Sequence, residues 1–185
     1  MKLVVGLGNP GRRYQRTRHN VGYAVAAELV RRFAVDRPRS RFRGEVVEAD
    51  AFGEKLLVLC PETYMNLSGA SVVEARDFYK LPEQHVLVVC DDLHLPTGKL
   101  RCRAAGSSGG QKGLADIMRR LGTEQIPRLR VGIGSPPPGW DATDYVLGRF
   151  TADEQIEIEG AIERAAEAVI VWAREGIEQC MNRYN

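Results

Sequence analysis

The sequence predicts a single-domain α/β fold over residues 1–185, in which helices cover both faces of a twisted, mixed β-sheet. Three observations predict this fold. Apolar runs typical of strands alternate with helical apolar periodicity along the whole chain. One pair of strand-like runs has the spacing of an antiparallel hairpin, so the sheet is expected to be mixed. No Pro/Gly/Ser-rich linker or internal repeat divides the 185 residues, a length that suits one core.

The first predicted elements are a strand and a helix joined by a basic loop. Residues 1–8 are mainly apolar and predict a buried strand, and the loop extends to about residue 18. A helix is expected to begin at Asn20, whose side chain can cap the first turn. Its inward face is indicated by apolar residues at every fourth position, Val21, Val25, Leu29 and Phe33.

The next segment predicts a hairpin followed by a second helix. Residues 45–52 and 55–60 are the two strands, and Gly53 lies at the turn. Ser68 is expected to cap the helix that follows. The residues expected to face the core from this helix are Val72, Ala75 and either Phe78 or Tyr79.

The second half of the chain adds three strands and two helices. Residues 85–90 predict a buried strand, and residues 99–104 alternate as a half-exposed one. A Gly/Ser-rich turn leads into a helix at about 111–121, and residues 128–134 predict a further strand. Residues 151–154 form a capping box that opens a long helix. The apolar stripe of that helix consists of Ile158, Ile162, Ala165, Val169 and Trp172.

Polar residues gather where the predicted strands end, and sites in open α/β sheets lie at the carboxyl ends of strands. Asn9 follows the first strand, and Asn66 follows the hairpin. Asp91 and Asp92 follow the next buried strand, and the Gly/Ser-rich loop follows the half-exposed one. We therefore expect these residues and this loop to meet at one edge of the sheet.

The net charge of +2 is unevenly distributed along the chain. Residues 1–150 contain 23 Lys/Arg and 16 Asp/Glu, a net charge of +7, whereas residues 151–185 contain 3 and 8, a net charge of −5. A basic body beside an acidic segment indicates a face that binds a polyanion. Two solvated faces of opposite sign explain the same pattern, so charge alone leaves both interpretations open.

The composition predicts a cytosolic protein. No apolar run approaches the roughly 18 residues that a membrane span needs. The apolar start is interrupted at residues 8–10, too early for the core of a signal peptide. The four cysteines include no CxxC pair, so we expect reduced structural thiols rather than a disulfide framework: Cys60, Cys90, Cys102 and Cys180.

Two glycine-rich segments resemble nucleotide-binding motifs without matching them. Gly6, Gly8 and Gly11 have the GxGxxG spacing, but the helical pattern starts only at Asn20 and no acid follows a second strand about 20 residues on. The segment GSSGGQKG at 106–113 is not a Walker A loop, because Gln111 precedes Lys112 where that motif has glycine, and glycine follows it where the motif has Ser or Thr. Its backbone N–H groups suit a phosphate. An ordinary strand-to-helix turn explains the same residues, so both interpretations stay open.

The side chains at 90–94 do not predict a metal site. Cys90, Asp91, Asp92 and His94 combine a soft ligand with hard ones, and no second His/Cys cluster completes a coordination shell. Only three histidines are present. His85 begins a strand and His94 lies in a turn, which leaves His19, just before the first helix, as the candidate base. A structural histidine at a helix start is the competing interpretation.

Three segments together resemble the bacterial-type peptidyl-tRNA hydrolases. They are GLGNPGxxYxxTRHNVG at 6–22, PxTYMNLSG at 61–69 and DDLxLPxGKxRxRxxGSSGGxxGL at 91–114. RLRVGIGxP at 128–136 and DYVLGRF at 144–150 add support, so the resemblance covers nearly the whole chain. It implies hydrolysis of the ester that links a peptide to the 3′ ribose of tRNA, without a metal or organic cofactor, by a monomer that binds tRNA and no membrane.

The resemblance also implies roles for individual residues. His19 would deprotonate a water molecule or the neighbouring ribose hydroxyl, and Asp91 would orient its ring and stabilise its cation. The substrate-binding residues would be Asn9, Tyr14, Met65 and Asn66. Basic residues expected to clamp tRNA phosphates are Arg101, Arg103 and Arg130. These types suit ester hydrolysis, which needs a base, an orienting acceptor and amide donors near the carbonyl oxygen.

The chain departs from the family in the glycine-rich loop. The family has GxxGGHNG where this chain has Gln111 and Lys112, so the usual asparagine contact to the substrate is replaced by a lysine. We hypothesise that Lys112 makes a charge-assisted contact to a phosphate or a developing oxyanion; pointing into solvent is the alternative. Two other functions remain for comparison, a catalytically weakened RNA-binding module on the same fold and an NAD-dependent oxidoreductase.

Overall fold

Seven strands form one sheet in the computed structural model, which describes residues 1–185. They are β1 (Lys2–Gly6), β2 (Arg39–Arg41), β3 (Gly44–Ala51), β4 (Glu54–Pro61), β5 (Val86–Asp92), β6 (Leu100–Arg103) and β7 (Arg128–Gly132). Their order across the sheet is β2-β3-β4-β1-β5-β7-β6. β4, β1, β5 and β7 are mutually parallel, whereas β2, β3 and β6 run antiparallel to their neighbours. The predicted mixed sheet and its hairpin are confirmed.

Six helices cover the sheet on both faces, as the sequence predicts. They are α1 (Val21–Phe33), α2 (Ser68–Tyr79), α3 (Lys112–Leu121), α4 (Ala142–Leu147), α5 (Ala152–Glu175) and α6 (Ile177–Tyr184). α1, α5 and α6 pack on one face, and α2 and α3 pack on the other. Successive strand residues alternate between the two cores. In β5, for example, Leu87 and Val89 join the first core, and Val86 and Val88 join the second.

The long helix α5 begins and packs as predicted. The Thr151 hydroxyl accepts a hydrogen bond from the Glu154 backbone N–H at 3.3 Å, and the Glu154 carboxylate accepts one from the Thr151 N–H at 2.8 Å. Ile158, Val169 and Trp172 are buried, and Ile162 is partly buried. Each fully buried aliphatic side chain contributes about 1.5–3 kcal/mol, so this stripe holds α5 on the sheet. Neither α5 nor any other helix has an apolar stretch long enough to cross a membrane.

The first two glycines of the GxGxxG segment are explained by the close approach of α1, whereas Gly11 has φ 103°, a conformation that favours glycine. A Cβ on Gly6 would collide with the carbonyl oxygen of Gly22, and a Cβ on Gly8 would lie 2.7 Å from the ring of Tyr23. A single 3-10 turn at Arg12–Tyr14 follows Gly11, where a dinucleotide site needs a helix. The segment therefore packs a helix against a strand and lacks the phosphate-binding end of the dinucleotide motif.

Two predicted helix caps are wrong because other backbone groups, one distant and one local, take the capping side chains. The Asn20 side chain does not cap α1; it bonds the backbone of Asn9. Ser68 lies inside the first turn of α2, and its hydroxyl donates to the Met65 carbonyl at 2.8 Å. In the same helix Phe78 is 57% exposed, so the half-buried Tyr79 is the inward residue. β2, α4 and α6 were not predicted, since three to eight residues show little periodicity.

Candidate active site

The loops after β1, β4 and β5 enclose an open cleft of about 640 Å³. Because these strands are parallel, their carboxyl ends share one edge of the sheet. The predicted site residues that line the cleft are Asn9, Tyr14, His19, Met65, Asn66, Asp91, Lys112 and Arg130. The chain separates these residues by up to 121 positions, and the sheet brings them together. Helix α4 supplies part of another wall, through Val146 and Leu147.

His19 and Asp91 are in direct contact at the base of the cleft. The distance from His19 Nδ1 to Asp91 Oδ2 is 2.8 Å, and Asp91 is only 4% exposed. Strand alternation explains the meeting, because Asp91 lies on the face of β5 that α1 covers and His19 lies in the turn before α1. With Nδ1–H donated to the carboxylate, Nε2 is the unprotonated nitrogen that can accept a proton from substrate or water.

The turn that carries His19 is fastened to the start of α5. Thr17 forms an isolated β-bridge with Arg149, and the Arg18 backbone N–H donates to the Gly148 carbonyl at 2.9 Å. The buried Arg18 guanidinium lies 4.2 Å from the centre of the Tyr145 ring and pairs with Glu154 at 2.9 Å. These contacts restrict the imidazole position, which a general base requires.

Gln111 holds the other oxygen of Asp91, a role that the sequence analysis missed. Its Nε2 donates to Asp91 Oδ1 at 3.1 Å and lies 3.1 Å from the Met65 sulfur. Its Oε1 accepts the Leu114 N–H at 2.7 Å, so the same side chain caps α3. A signal was present, because a side-chain acceptor directly before a helical pattern indicates a cap. Gln111 therefore fixes the carboxylate relative to a rigid helix.

Asn9 is held by three hydrogen bonds that leave its amide NH2 group for the cleft. Its Oδ1 accepts the Met65 backbone N–H at 2.8 Å. Its backbone N–H and carbonyl bond the side chain of Asn20 at 2.8 and 2.9 Å. The Asn20 side chain, predicted to cap α1, therefore holds the loop that carries Asn9. The arrangement orients a fixed amide donor towards a ligand in the cleft.

The loop after β4 places Asn66, Met65 and Tyr64 along the cleft. Asn66 is exposed and makes no side-chain hydrogen bond within the protein, whereas Met65 is buried. Tyr64 has φ 61°, unfavourable for a residue other than glycine, and is 54% exposed. Its ring meets the Tyr14 ring edge-to-face with 6.4 Å between centroids. Two aromatic rings and a free amide therefore form one wall.

The glycine-rich loop reaches the cleft by a route that the sequence analysis did not predict. The loop was expected to start at the carboxyl edge, but β6 is antiparallel and Arg103 pairs with Arg128 at the opposite edge. The loop then returns along the sheet, held by two arginines of β7. Arg128 donates to the Gly106 and Ser107 carbonyls at 2.8 and 3.1 Å, and Arg130 donates to Ser107 at 2.7 Å. Its last residues precede α3 beside Asp91.

The basic residues predicted to contact tRNA have three different environments. Arg101 and Arg103 are exposed on the edge strand β6. Arg130 lines the cleft but is already engaged, since its guanidinium also contacts Asp92 at 3.3 Å. Lys112, the first residue of α3, is exposed at the cleft and makes no hydrogen bond or ion pair within the protein. Of the cations predicted to contact tRNA, those without a partner are therefore Lys112, Arg101 and Arg103.

The thiol and the two acids at the end of β5 are not available as metal ligands. Burial, with the nearby Asp91 charge, raises the pKa of the Cys90 thiol to about 12, so the thiol is protonated at neutral pH. Asp92 pairs with Arg130, and Asp91 with His19. No group of three or more His, Cys, Asp or Glu side chains is arranged to hold a metal ion. The arrangement suits proton transfer by a histidine.

A histidine paired with a buried carboxylate, beside amide donors in an open cleft, defines an enzyme site of the hydrolytic class. Known proteins agree with this class. The sequence pattern of the family described as peptidyl-tRNA hydrolase matches residues 3–185. The peptidyl-tRNA hydrolase of Rhodopirellula baltica is 56% identical over 185 residues, covering 100% of this chain and 97% of that protein. That of Chloroflexus aurantiacus is 48% identical over 100% of this chain and 99% of that protein.

A solved structure shows the same fold. The crystal structure of peptidyl-tRNA hydrolase from Acinetobacter baumannii superposes with a TM-score of 0.93 at 34% identity, covering 100% of this chain and 94% of that one. The chain belongs to the peptidyl-tRNA hydrolase family. The family resemblance and the fold class predicted from the sequence are thereby confirmed.

Proposed function

We propose that His19 is the general base in the hydrolysis of peptidyl-tRNA by this chain, and that Asp91 orients it. The observation that carries the proposal is the 2.8 Å contact between His19 Nδ1 and buried Asp91, at the base of a cleft lined by Asn9 and Asn66. The contact leaves Nε2 as the only ring nitrogen free to take a proton. The alternative of a weakened RNA-binding module is less well supported, because this pair is intact.

The reaction follows from these positions. His19 Nε2 takes a proton from water, and the oxygen of that water bonds to the ester carbonyl carbon. The amide groups of Asn9 and Asn66 donate hydrogen bonds to the oxyanion of the tetrahedral intermediate. The C–O bond to the 3′ ribose then breaks, and the imidazolium returns its proton to the departing ribose oxygen. The products are a free peptide acid and a tRNA with a free 3′ hydroxyl.

The remaining cleft residues suit the peptide part and the tRNA part of the substrate. Met65 and Tyr14 offer apolar and aromatic surface to the peptide. Lys112 and Arg130, together with Arg101 and Arg103 outside the cleft, are proposed to bind tRNA phosphates. Exposure and the lack of an acidic partner favour this role for Lys112, Arg101 and Arg103. Arg130 is paired with Asp92, so to bind a phosphate it must either break this ion pair or contact both groups.

We further propose a cytosolic monomer of one domain. All four cysteines are free thiols, as is usual in a reducing compartment. One sheet with a continuous strand order spans the chain from β1 to β7. Four of the large exposed apolar side chains lie on separate segments of the chain, which is ordinary for a monomer surface: Phe52, Phe78, Trp140 and Ile156. Light scattering of the purified protein measures the oligomeric state directly.

The decisive experiment follows release of free tRNA from N-acetyl-aminoacyl-tRNA by the purified protein. His19→Ala should lower kcat about 10²- to 10⁴-fold, because the base is removed. Asp91→Asn should lower kcat by a smaller factor, because a neutral amide still orients the ring but stabilises its cation poorly. Binding of tRNA, measured separately, should change little in both. A His19→Ala enzyme with a nearly unchanged rate would rule out this mechanism.

A further inference from the structure

A short loop close to His19 in sequence carries three exposed arginines without acidic partners. Arg12, Arg13 and Arg16, called here the arginine loop, are exposed and make no ion pair or side-chain hydrogen bond within the protein. The surrounding sequence adds no compensating charge, because the first acid of the chain is Glu28. The loop follows β1 at the edge of the sheet that carries the active site.

Exposed arginines elsewhere in the molecule are commonly neutralised. Three such pairs are Arg31 with Glu28, Arg43 with Glu74 and Arg183 with Glu175. Surface ion pairs of this kind reduce the local attraction for an external anion. The arginine loop has no such partners, so its positive potential remains available to a ligand.

The backbone of the arginine loop is ordered by its own hydrogen bonds. The Tyr14 N–H donates to the Gly11 carbonyl at 3.1 Å, and the Thr17 N–H and hydroxyl both donate to the Tyr14 carbonyl, at 3.2 and 2.8 Å. Arg16 is held at φ 62°, a left-handed conformation that most side chains disfavour. The Arg13 guanidinium lies over the Tyr14 ring, 4.8 Å from its centre. The cations are therefore displayed on a defined backbone beside an aromatic ring.

The position of the loop limits which phosphates it can contact. Arg16 is three residues from His19, so their Cα atoms are at most about 11 Å apart. Arg101 and Arg103 lie on β6, three strand spacings or about 14 Å from β1, and neither lines the cleft. A substrate whose 3′ ester lies at His19 therefore presents only its last few nucleotides to the arginine loop, and these are unpaired in tRNA.

We propose that Arg12, Arg13 and Arg16 bind the backbone phosphates of the unpaired 3′ end of the RNA substrate, beside the cleft that contains His19. The inference rests on the function proposed above and adds a basic surface next to that site. Guanidinium groups suit this ligand because each donates two parallel hydrogen bonds to a phosphate. Basic side chains interleaved with an aromatic ring are typical of surfaces that bind single strands.

The test compares two triple variants with the same change of charge. Arg12→Gln/Arg13→Gln/Arg16→Gln removes the loop cations and keeps their approximate length. The control, Lys55→Gln/Lys80→Gln/Arg174→Gln, removes three exposed cations from other parts of the surface: Lys55 at the amino end of β4, Lys80 after α2, and Arg174 near the end of α5. For each protein, kcat/KM is measured against salt concentration with N-acetyl-aminoacyl-tRNA. The same measurement uses a short single-stranded 3′ oligonucleotide with the same ester.

Removing three arginine–phosphate interactions with a single strand should make the slope of log kcat/KM against log salt less negative by about 2, since each contributes about 0.7. At low salt the loop variant should show kcat/KM reduced about tenfold or more, through KM, on both substrates, and the control should change little. Equal behaviour of loop variant and control would overturn the inference, as would a reduction seen with tRNA only. A wild-type protein inactive on both substrates would instead refute the proposed function.

Discussion

At the scale of single residues, the side chain of Gln111 contacts Asp91 and Met65 in the cleft and caps helix α3. Gln111→Met keeps the length but removes the donor to Asp91, so kcat should fall about tenfold with KM nearly unchanged. It also removes the cap of α3, which should cost about 1 kcal/mol of unfolding free energy. Gln111→Glu keeps that cap acceptor but sets a carboxylate against Asp91, and should lower kcat further. A glutamate variant with full activity would contradict the positioning role.

Lys112 is exposed at the cleft, and its ammonium has no partner within the protein. If it contacts a phosphate or the oxyanion, Lys112→Ala should lower kcat/KM about tenfold or more, because a charge-assisted hydrogen bond is removed. Lys112→Asn should retain part of the activity, since an amide still donates. Rates of both variants equal to wild type at several salt concentrations would show that Lys112 faces solvent.

At the scale of elements, the glycine-rich loop depends on a buried arginine. Arg128 is 0% exposed, and burial lowers its pKa from the usual value. Its guanidinium donates to four backbone carbonyls: those of Gly106, Ser107, Glu124 and Ile126. No carboxylate forms an ion pair with it, so these carbonyls are its direct partners, and the nearby charge of Glu124 offsets only part of the cost of burial.

Replacing Arg128 should therefore affect both stability and the site. Arg128→Met leaves carbonyls without donors and should lower the unfolding free energy by about 2–4 kcal/mol. Arg128→Lys retains the charge with fewer donors, so its unfolding free energy should lie between those of the wild type and Arg128→Met. Urea denaturation measures the stabilities, and the methionine enzyme should also lose activity because the loop carries Gln111 to Asp91. Unchanged stability of the methionine variant would show that the glycine-rich loop keeps its conformation without the Arg128 hydrogen bonds.

At the scale of the whole molecule, the charge asymmetry predicts how activity responds to salt. Arg101 and Arg103 are exposed on β6, away from the acidic helix α5 in sequence. Arg101→Gln/Arg103→Gln should raise KM more than it lowers kcat, and should flatten the salt dependence by about 0.9 for each duplex phosphate that is no longer bound. Arg31→Gln/Arg183→Gln, which removes two exposed arginines paired with Glu28 and Glu175, is the matched control. A salt response identical to the control would exclude β6 from the tRNA-binding surface.

The sequence by itself determined the fold class, the order of the main elements and the strand ends at which Asn9, Asn66 and Asp91 lie. These features depend on local apolar periodicity and on the rule that parallel strands end together. The sequence also singled out His19, because only three histidines are present and the motif around it is specific.

Only the tertiary structure decided which partners the polar side chains choose. Asn20 and Ser68 have the local chemistry of caps, yet distant or neighbouring backbone groups take them. Gln111 reaches Asp91 only because β6 runs antiparallel and its loop returns along the sheet. Strand direction and side-chain pairing depend on contacts far apart in the chain, and their energies outweigh the small local preferences that a sequence pattern records.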